Sequence, residues 1–251
     1  MTPPVLYAPS PNFNERAHSI DMLVLHYTGM RDGPTALHRL QDPSPPRVSS
    51  HYLVEEDGRI FSLVAEAWRA WHAGAGKWRD RDDINSRSIG IEIVNGGHDF
   101  GLPSFPESQV LSVIRLCQGI CGRWAIPQIG IVGHSDIAPD RKQDPGERFP
   151  WRRLAEAGVG FWPSATFEPE LSAPGPYADK GDLIASVAKV RNALKTIGYD
   201  LSTTEVYDNS MKNVLKAFQR RWRPSCVSGI ADPETAFLIH EVARHYQSTG
   251  G

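Results

Sequence analysis

The sequence has no apolar run approaching the ~20 residues that a helix needs to cross a bilayer, so a membrane-spanning class is not expected. It has no block of like charges, and its formal net charge is only −2. A general basic field of the kind that holds nucleic acid is therefore excluded. Cysteine is scarce: Cys117, Cys121 and Cys226, an odd number, do not make a disulfide framework in a chain of 251 residues. Cys117 and Cys121 lie four apart in a helical stretch and read as half a metal site or as a small apolar pair on a buried face. The start, Met1-Thr2-Pro3-Pro4-Val5, has no basic leader followed by an apolar run. With the cysteine usage, this points to the cytoplasm, or to the periplasm if a leader was removed. Two common metal signatures, His-Glu-x-x-His and paired Cys-x-x-Cys, are also missing.

What is present divides the chain by its periodicities. Before about residue 160, short β-type runs alternate with helical ones. Met22-Leu23-Val24-Leu25 is a compact apolar run ending at His26, as a buried strand would. Tyr52–Val54 and Ile60–Leu63 flank Glu56-Asp57-Gly58, a hairpin signal. In Ser88–Val94 the isoleucines alternate, so Ile89, Ile91 and Ile93 share one face and Glu92 points to the other. A fourth run, Ile129–Val132, stops just before His134. Helical spacing is expected over Pro34–Gln41 and Glu107–Trp124. The class is α/β, a mixed sheet flanked by helices.

Residues 161–177, rich in proline and without either period, read as a linker. Residues 178–251 then form a small three-helix domain. Its first helix carries Leu183, Val187, Val190, Leu194 and Ile197 and stops at Gly198. The second carries Val214, Leu215, Phe218 and Trp222, and the third starts with Asp232 as N-cap and Pro233 at N1.

Nine histidines are scattered along the chain, and two occupy suggestive places. His26 and His134 each follow an apolar strand, where a rigid sheet hands a side chain to a surface cleft. With Asp144 from the polar loop beyond His134, they would make a two-histidine, one-carboxylate zinc site with an open position for water. Spacing alone leaves open the alternative that each histidine is a satisfied strand-end residue.

Five segments sharpen the choice: Val24-Leu25-His26-Tyr27-Thr28, Ser49-Ser50-His51-Tyr52-Leu53-Val54, Trp71-His72-Ala73-Gly74, Ser88 through Asn95, and Gly133 through Gly146. In these segments residues 1–160 resemble the zinc N-acetylmuramoyl-L-alanine amidases that share the fold of peptidoglycan recognition proteins. The resemblance implies that His26, His134 and Asp144 bind Zn2+. It makes Glu92 the general base for the attacking water and Lys142 the stabiliser of the oxyanion. It places His72, Trp71 and His51 near the cleft as contacts for sugar or peptide, with His51 and His72 also readable as structural residues. Trp68, Trp71 and Trp78 suit an aromatic wall or core packing equally.

Val214–Trp222 and Gly229–Thr235 resemble the three-helix peptidoglycan-binding module, with Ser228-Gly229 where that module has Asp-Gly. Such a module would bind wall polymer or brace the first domain. The implied partners are muropeptides, anhydro-muropeptides or polymeric peptidoglycan, with no nucleic acid and no membrane. The implied reaction is hydrolysis of the amide between N-acetylmuramic acid and L-alanine. A recognition protein that binds muropeptide without cutting it and a phage-type lysin are the alternatives.

Overall fold

In the computed structural model, which describes residues 4–167, 183–202 and 206–249, the apolar runs become the strands of one sheet. The first half runs β1 (Val5–Tyr7), β2 (Phe13–Asn14), β3 (Met22–Tyr27), α1 (Gly33–Gln41), β4 (Tyr52–Val54), β5 (Ile60–Ser62), β6 (Arg69–Ala70), α2 (Ile84–Arg87) and β7 (Ser88–Ile93). It continues with α3 (Glu107–Trp124), β8 (Ile131–Gly133), α4 (His134–Ile137) and α5 (Trp151–Glu156). The helices α6 (Leu183–Ile197), α7 (Asn209–Trp222) and α8 (Pro233–Thr249) complete the chain.

The six-stranded sheet has the order β1-β5-β4-β7-β3-β8, and β2 pairs with β6 outside it. β3 lies parallel between β7 and β8, and its neighbour β7 is parallel to β4. The expected hairpin is the antiparallel pair β4–β5, in which Val54 opposes Ile60. The sheet is thus mixed.

The period of two in β3 feeds two packing layers. Leu23 and Leu25 join Ile89, Ile91 and Ile93 against Val110, Val113, Cys117 and Ile120 of α3. Met22 and Val24 face the other way, into a cluster with Trp78, Val132 and residues of all three C-terminal helices, Leu194, Phe218 and Val242 among them. Buried on both faces, β3 reads as a continuous apolar run. His26 ends the Met22–Val24 side, opposite α3. The pair Cys117 and Cys121 belongs to the α3 core, with free thiols, as the apolar reading of them has it.

The C-terminal helices start and stop where their sequence signals lie. Asp208 and Asp232 cap α7 and α8, their carboxylates accepting from the backbone N–H of Met211 at 2.8 Å and of Thr235 at 2.9 Å. Gly198 follows α6 at φ 132°, and a Cβ there would lie 2.6 Å from the Trp78 ring, so glycine both ends the helix and admits the tryptophan. The helices do not stand apart as an isolated core. Asp136 of α4, almost fully buried, accepts from the Tyr199 hydroxyl at 2.6 Å, from Arg221 at 3.2 Å and from the Gly133 N–H at 2.8 Å. The Arg221 guanidinium lies 4.3 Å from the rings of both Trp151 and Trp222. Residues 168–177 of the expected linker lie outside the described residues. Within the described part, Phe161 stacks on His245 at 3.6 Å.

For two residues the structure favours the structural alternative over a contact with substrate. Trp78 is 1% exposed and packs on Tyr199, so it forms core rather than a sugar-binding wall. His51 is fully buried: its Nδ1 accepts from the Gly90 N–H at 2.9 Å and its Nε2 lies 3.0 Å from the Trp68 carbonyl. Both nitrogens are used to tie β4 to β7 and to the loop before β6, which leaves none for substrate. Burial, with the Arg16 guanidinium beside it, lowers its pKa to about 3.

Two outcomes follow from this packing. Arg221→Met strands the buried Asp136 carboxylate and is expected to cost about 3–5 kcal/mol in urea denaturation; two separate unfolding transitions in the native chain would contradict the shared core. His51 is protonated in the unfolded chain below about pH 6.5 but stays neutral when folded until about pH 3. The stability it contributes is therefore complete above pH 6.5 and lost as pH falls towards 3, with a slope of at most ~1.4 kcal/mol per pH unit for each such ring. The slope measured by denaturation across this window should be shallower in His51→Phe, and an unchanged slope would contradict the burial argument.

Candidate metal centre and active-site cleft

The parallel pairing of β3, β7 and β8 brings distant residues to one end of the sheet. In register, His26 opposes Glu92 and Leu25 opposes Gly133, so His134, one residue past Gly133, starts α4 beside His26. The loop after α4 folds back so that the Asp144 carbonyl accepts from the Ser135 N–H at 2.9 Å. This return brings the Asp144 side chain to both rings. Strand ends in a parallel sheet are where such crevices open.

The three side chains converge on one point. His26 Nδ1 and His134 Nδ1 lie 2.9 Å apart, and each is 3.0 Å from Asp144 Oδ2. All three residues are buried. His134 has its other nitrogen, Nε2, 2.9 Å from the Ala73 carbonyl, an acceptor that fixes the proton on Nε2. Its Nδ1 therefore turns a lone pair inwards, towards a carboxylate oxygen. Burial, with the neighbouring His134, lowers the His26 pKa to about 4, so that ring is neutral near pH 7. Burial alone would raise the Asp144 carboxyl, but the adjoining His134 and His26 rings outweigh it and hold it well below the ordinary carboxylate value. Two imidazole nitrogens and a carboxylate oxygen brought this close together and away from water leave a ready place for a cation among them. The donor set, two nitrogens and one oxygen, fits zinc with an open position.

The convergent group lies at the base of a cavity of about 400 Å³ lined by His72, Glu92, His134, Lys142 and Asp144, and on its outer side by Met30, Arg39, His98 and Asp99. Glu92 is partly exposed here, and its Oε2 has no hydrogen-bond partner among the described residues. Burial pushes the Glu92 carboxyl well above its ordinary value, the nearby Asp144 adds to this and Lys142 opposes it. A carboxyl so placed is suited to take a proton from water and pass it on.

Five sequence-derived positions, His26, His134, Asp144, Glu92 and Lys142, thus meet at one cleft, and His72 lines it as well. Trp71 does not: its indole N–H donates to Asn14 of β2 at 2.6 Å, away from the cavity lining. Sequence reasoning missed the outer wall. There the Tyr27 hydroxyl lies 3.0 Å from His98 Nδ1, and His98 Nε2 lies 3.0 Å from Glu147. His98 follows β7 in Asn95-Gly96-Gly97-His98, so the strand-end criterion that singled out His26 and His134 would have found it.

Known proteins share both sequence and fold with this chain. Residues 16–147 match the N-acetylmuramoyl-L-alanine amidase family, and residues 185–237 match the peptidoglycan binding domain family. The chain is 36% identical over 242 residues to the N-acetylmuramoyl-L-alanine amidase AmiD of Escherichia coli (strain K12), spanning 90% of this chain and 83% of AmiD. It is 32% identical over 163 residues to the 1,6-anhydro-N-acetylmuramyl-L-alanine amidase AmpD of Haemophilus influenzae, over 57% of this chain and 86% of AmpD. The solved complex of E. coli AmiD with anhydro-N-acetylmuramic acid-L-Ala-D-gamma-Glu-L-Lys has a TM-score of 0.79 and 35% identity, covering 93% of both chains. AmpDh3 from Pseudomonas aeruginosa has a TM-score of 0.77 and 34% identity, covering 91% of this chain and 92% of its own. With one relative alike along nearly the whole chain and the family match covering more than half of it, the chain belongs to the N-acetylmuramoyl-L-alanine amidase family.

Proposed function

We propose that this amidase cleaves the amide between the lactyl group of 1,6-anhydro-N-acetylmuramic acid and the L-alanine of a soluble muropeptide, using zinc held by His26, His134 and Asp144. The observation that carries the metal reading is the convergence of three buried lone-pair donors on a single point beside a cavity. Bound there, zinc supplies Lewis acidity, polarising a carbonyl and acidifying water. The anhydro form is favoured by the ligand in the AmiD complex and by the name of AmpD. Among the described residues no helix is long and apolar enough to cross a membrane. Cys117, Cys121 and Cys226 are free thiols, which supports the cytoplasmic reading.

In this proposal the chain's own groups move the proton and hold the charge. Glu92, its Oε2 without a partner, takes a proton from the attacking water and delivers it to the departing L-alanine nitrogen. Lys142, on the same cavity wall, faces the oxygen that gains charge as the carbonyl becomes tetrahedral. The lactyl carboxylate and the free peptide amine leave. Arg141 donates to the Ala73 and Ala75 carbonyls, and so pins the loop that presents Lys142 and Asp144.

Digestion of a purified anhydro-muropeptide, followed by mass spectrometry, should release intact stem peptide; chelation should stop the release and added zinc restore it. Turnover that survives exhaustive chelation would remove the metal from the mechanism. Glu92→Gln should keep metal content but slow turnover by roughly 10²–10⁴. As a base, Glu92 works when deprotonated, and its carboxyl is raised above 4.5. The acid limb of kcat/KM should therefore rise with pH through a midpoint above that value and disappear in Glu92→Gln. A limb unchanged in the variant would assign the titration to another group.

A further inference from the structure

His72 lines the cleft wall, where a histidine would be expected to touch substrate, but both its nitrogens have protein partners. Its Nδ1 lies 3.0 Å from His26 Nε2, and its Nε2 lies 3.2 Å from Ser88 Oγ. The Ser88 hydroxyl itself donates to the Ile84 carbonyl at 2.6 Å. That last bond sets the direction of the rest. With its proton committed to Ile84, Ser88 Oγ accepts from His72 Nε2–H. A neutral His72 then has a bare Nδ1, which accepts from His26 Nε2–H. A neutral His26 in turn has a bare Nδ1, aimed at His134 and Asp144.

The backbone is shaped around this chain of bonds. Ser88, Gly90 and Glu92 share one face of β7, the period-two face on which Glu92 reaches the cleft. A Cβ at Gly90 would lie 2.3 Å from Cγ of the His72 ring, so the missing side chain is the space the imidazole occupies. The His72 backbone N–H donates to the Asn85 side chain at 3.0 Å, and the neighbouring Ala73 N–H to the same oxygen at 2.8 Å. The ring is thus held from backbone and strand together.

We infer that His72 is a positioning residue: the relay Ile84 carbonyl–Ser88–His72 holds the proton of His26 on Nε2 and so presents Nδ1 as a ready metal ligand. The Ala73 carbonyl does the same for His134 directly. Both ligands are then set in the metal-binding tautomer by the protein, and His26 alone depends on a second side chain to achieve it. An outer partner of this kind is worth ~10–100-fold in metal affinity. The inference rests on the proposed metal site.

The test uses the full-length, ¹⁵N-histidine-labelled chain in its metal-free form, with zinc affinity measured by competition against a chromophoric chelator. In the wild-type chain, ring ¹⁵N shifts should place the His26 proton on Nε2 before any metal is added. His72→Leu should give a mixture of tautomers and weaken zinc binding by ~10–100-fold. His72→Asn, whose amide oxygen stands where Nδ1 stood, should recover most of the affinity. Ser88→Ala, a smaller change that retains the ring, should loosen the tautomer and weaken zinc in the same direction; it also carries the test if His72→Leu does not fold. A wild-type His26 protonated on Nδ1, or zinc affinity within twofold of wild type in folded His72→Leu, would overturn the relay. A wild-type chain that takes up no zinc would instead remove the metal site, and the tautomer readout would still decide the relay.

Discussion

The close approach of three buried ligand atoms from distant parts of the chain is the constraint around which the rest of the molecule is arranged. Two imidazole nitrogens and a carboxylate oxygen within about 3 Å of one another, removed from water, are unstable without positive charge at their centre. The chain commits the His134 proton to the Ala73 carbonyl and surrounds the group with sheet and loop. Affinity for a divalent ion is the natural consequence of holding such a set in place, since ion binding recovers the energy that folding leaves unsatisfied.

Holding it in place is partly the work of the C-terminal helices. His134, Lys142 and Asp144 all lie on the segment between β8 and α5, which has little regular structure of its own. That segment is gripped at several points from α7 and the turn after α6: Tyr199 and Arg221 on Asp136, Asn213 on Asp140, and Arg220 on Gln143. A region related in sequence to peptidoglycan-binding modules therefore also completes the core beneath the loop that carries Lys142 and Asp144. Two of its buried aromatic side chains, Phe218 and Trp222, pack into the same cluster as Met22 and Val24 of the central strand.

Much of this was readable from residues alone, for identifiable reasons. β3, buried on both faces, leaves a continuous apolar signature, and β7 an alternation of isoleucines in which Glu92 stands out as the one acid. Caps and stops such as Asp232-Pro233 and Gly198 are local chemistry, and they marked the C-terminal helices. What the sequence could not show were contacts between segments. β1, β2 and β6 are two or three residues long and, unlike β4 and β5, have no turn signal between paired partners to mark them. His51 and His72 look alike in sequence, each beside an aromatic residue. One ties two strands together and the other backs the His26 ring, a distinction set by what lies across the sheet. Trp78 could not be told from a sugar-stacking residue until Gly198 and Tyr199 were seen to enclose it. The fusion of the helical region with the first core was likewise hidden, because a change of hydrophobic period marks a change of architecture and not a gap in packing.

The central claim concerns which atoms bind one ion. X-ray absorption and anomalous diffraction at the zinc edge, on the native chain loaded with one equivalent of zinc, test it most directly. The expected result is a single site with two nitrogen ligands and one carboxylate oxygen at ~2.0–2.2 Å, contributed by His26, His134 and Asp144. An ion bound elsewhere, or a first shell that lacks either histidine, would contradict it.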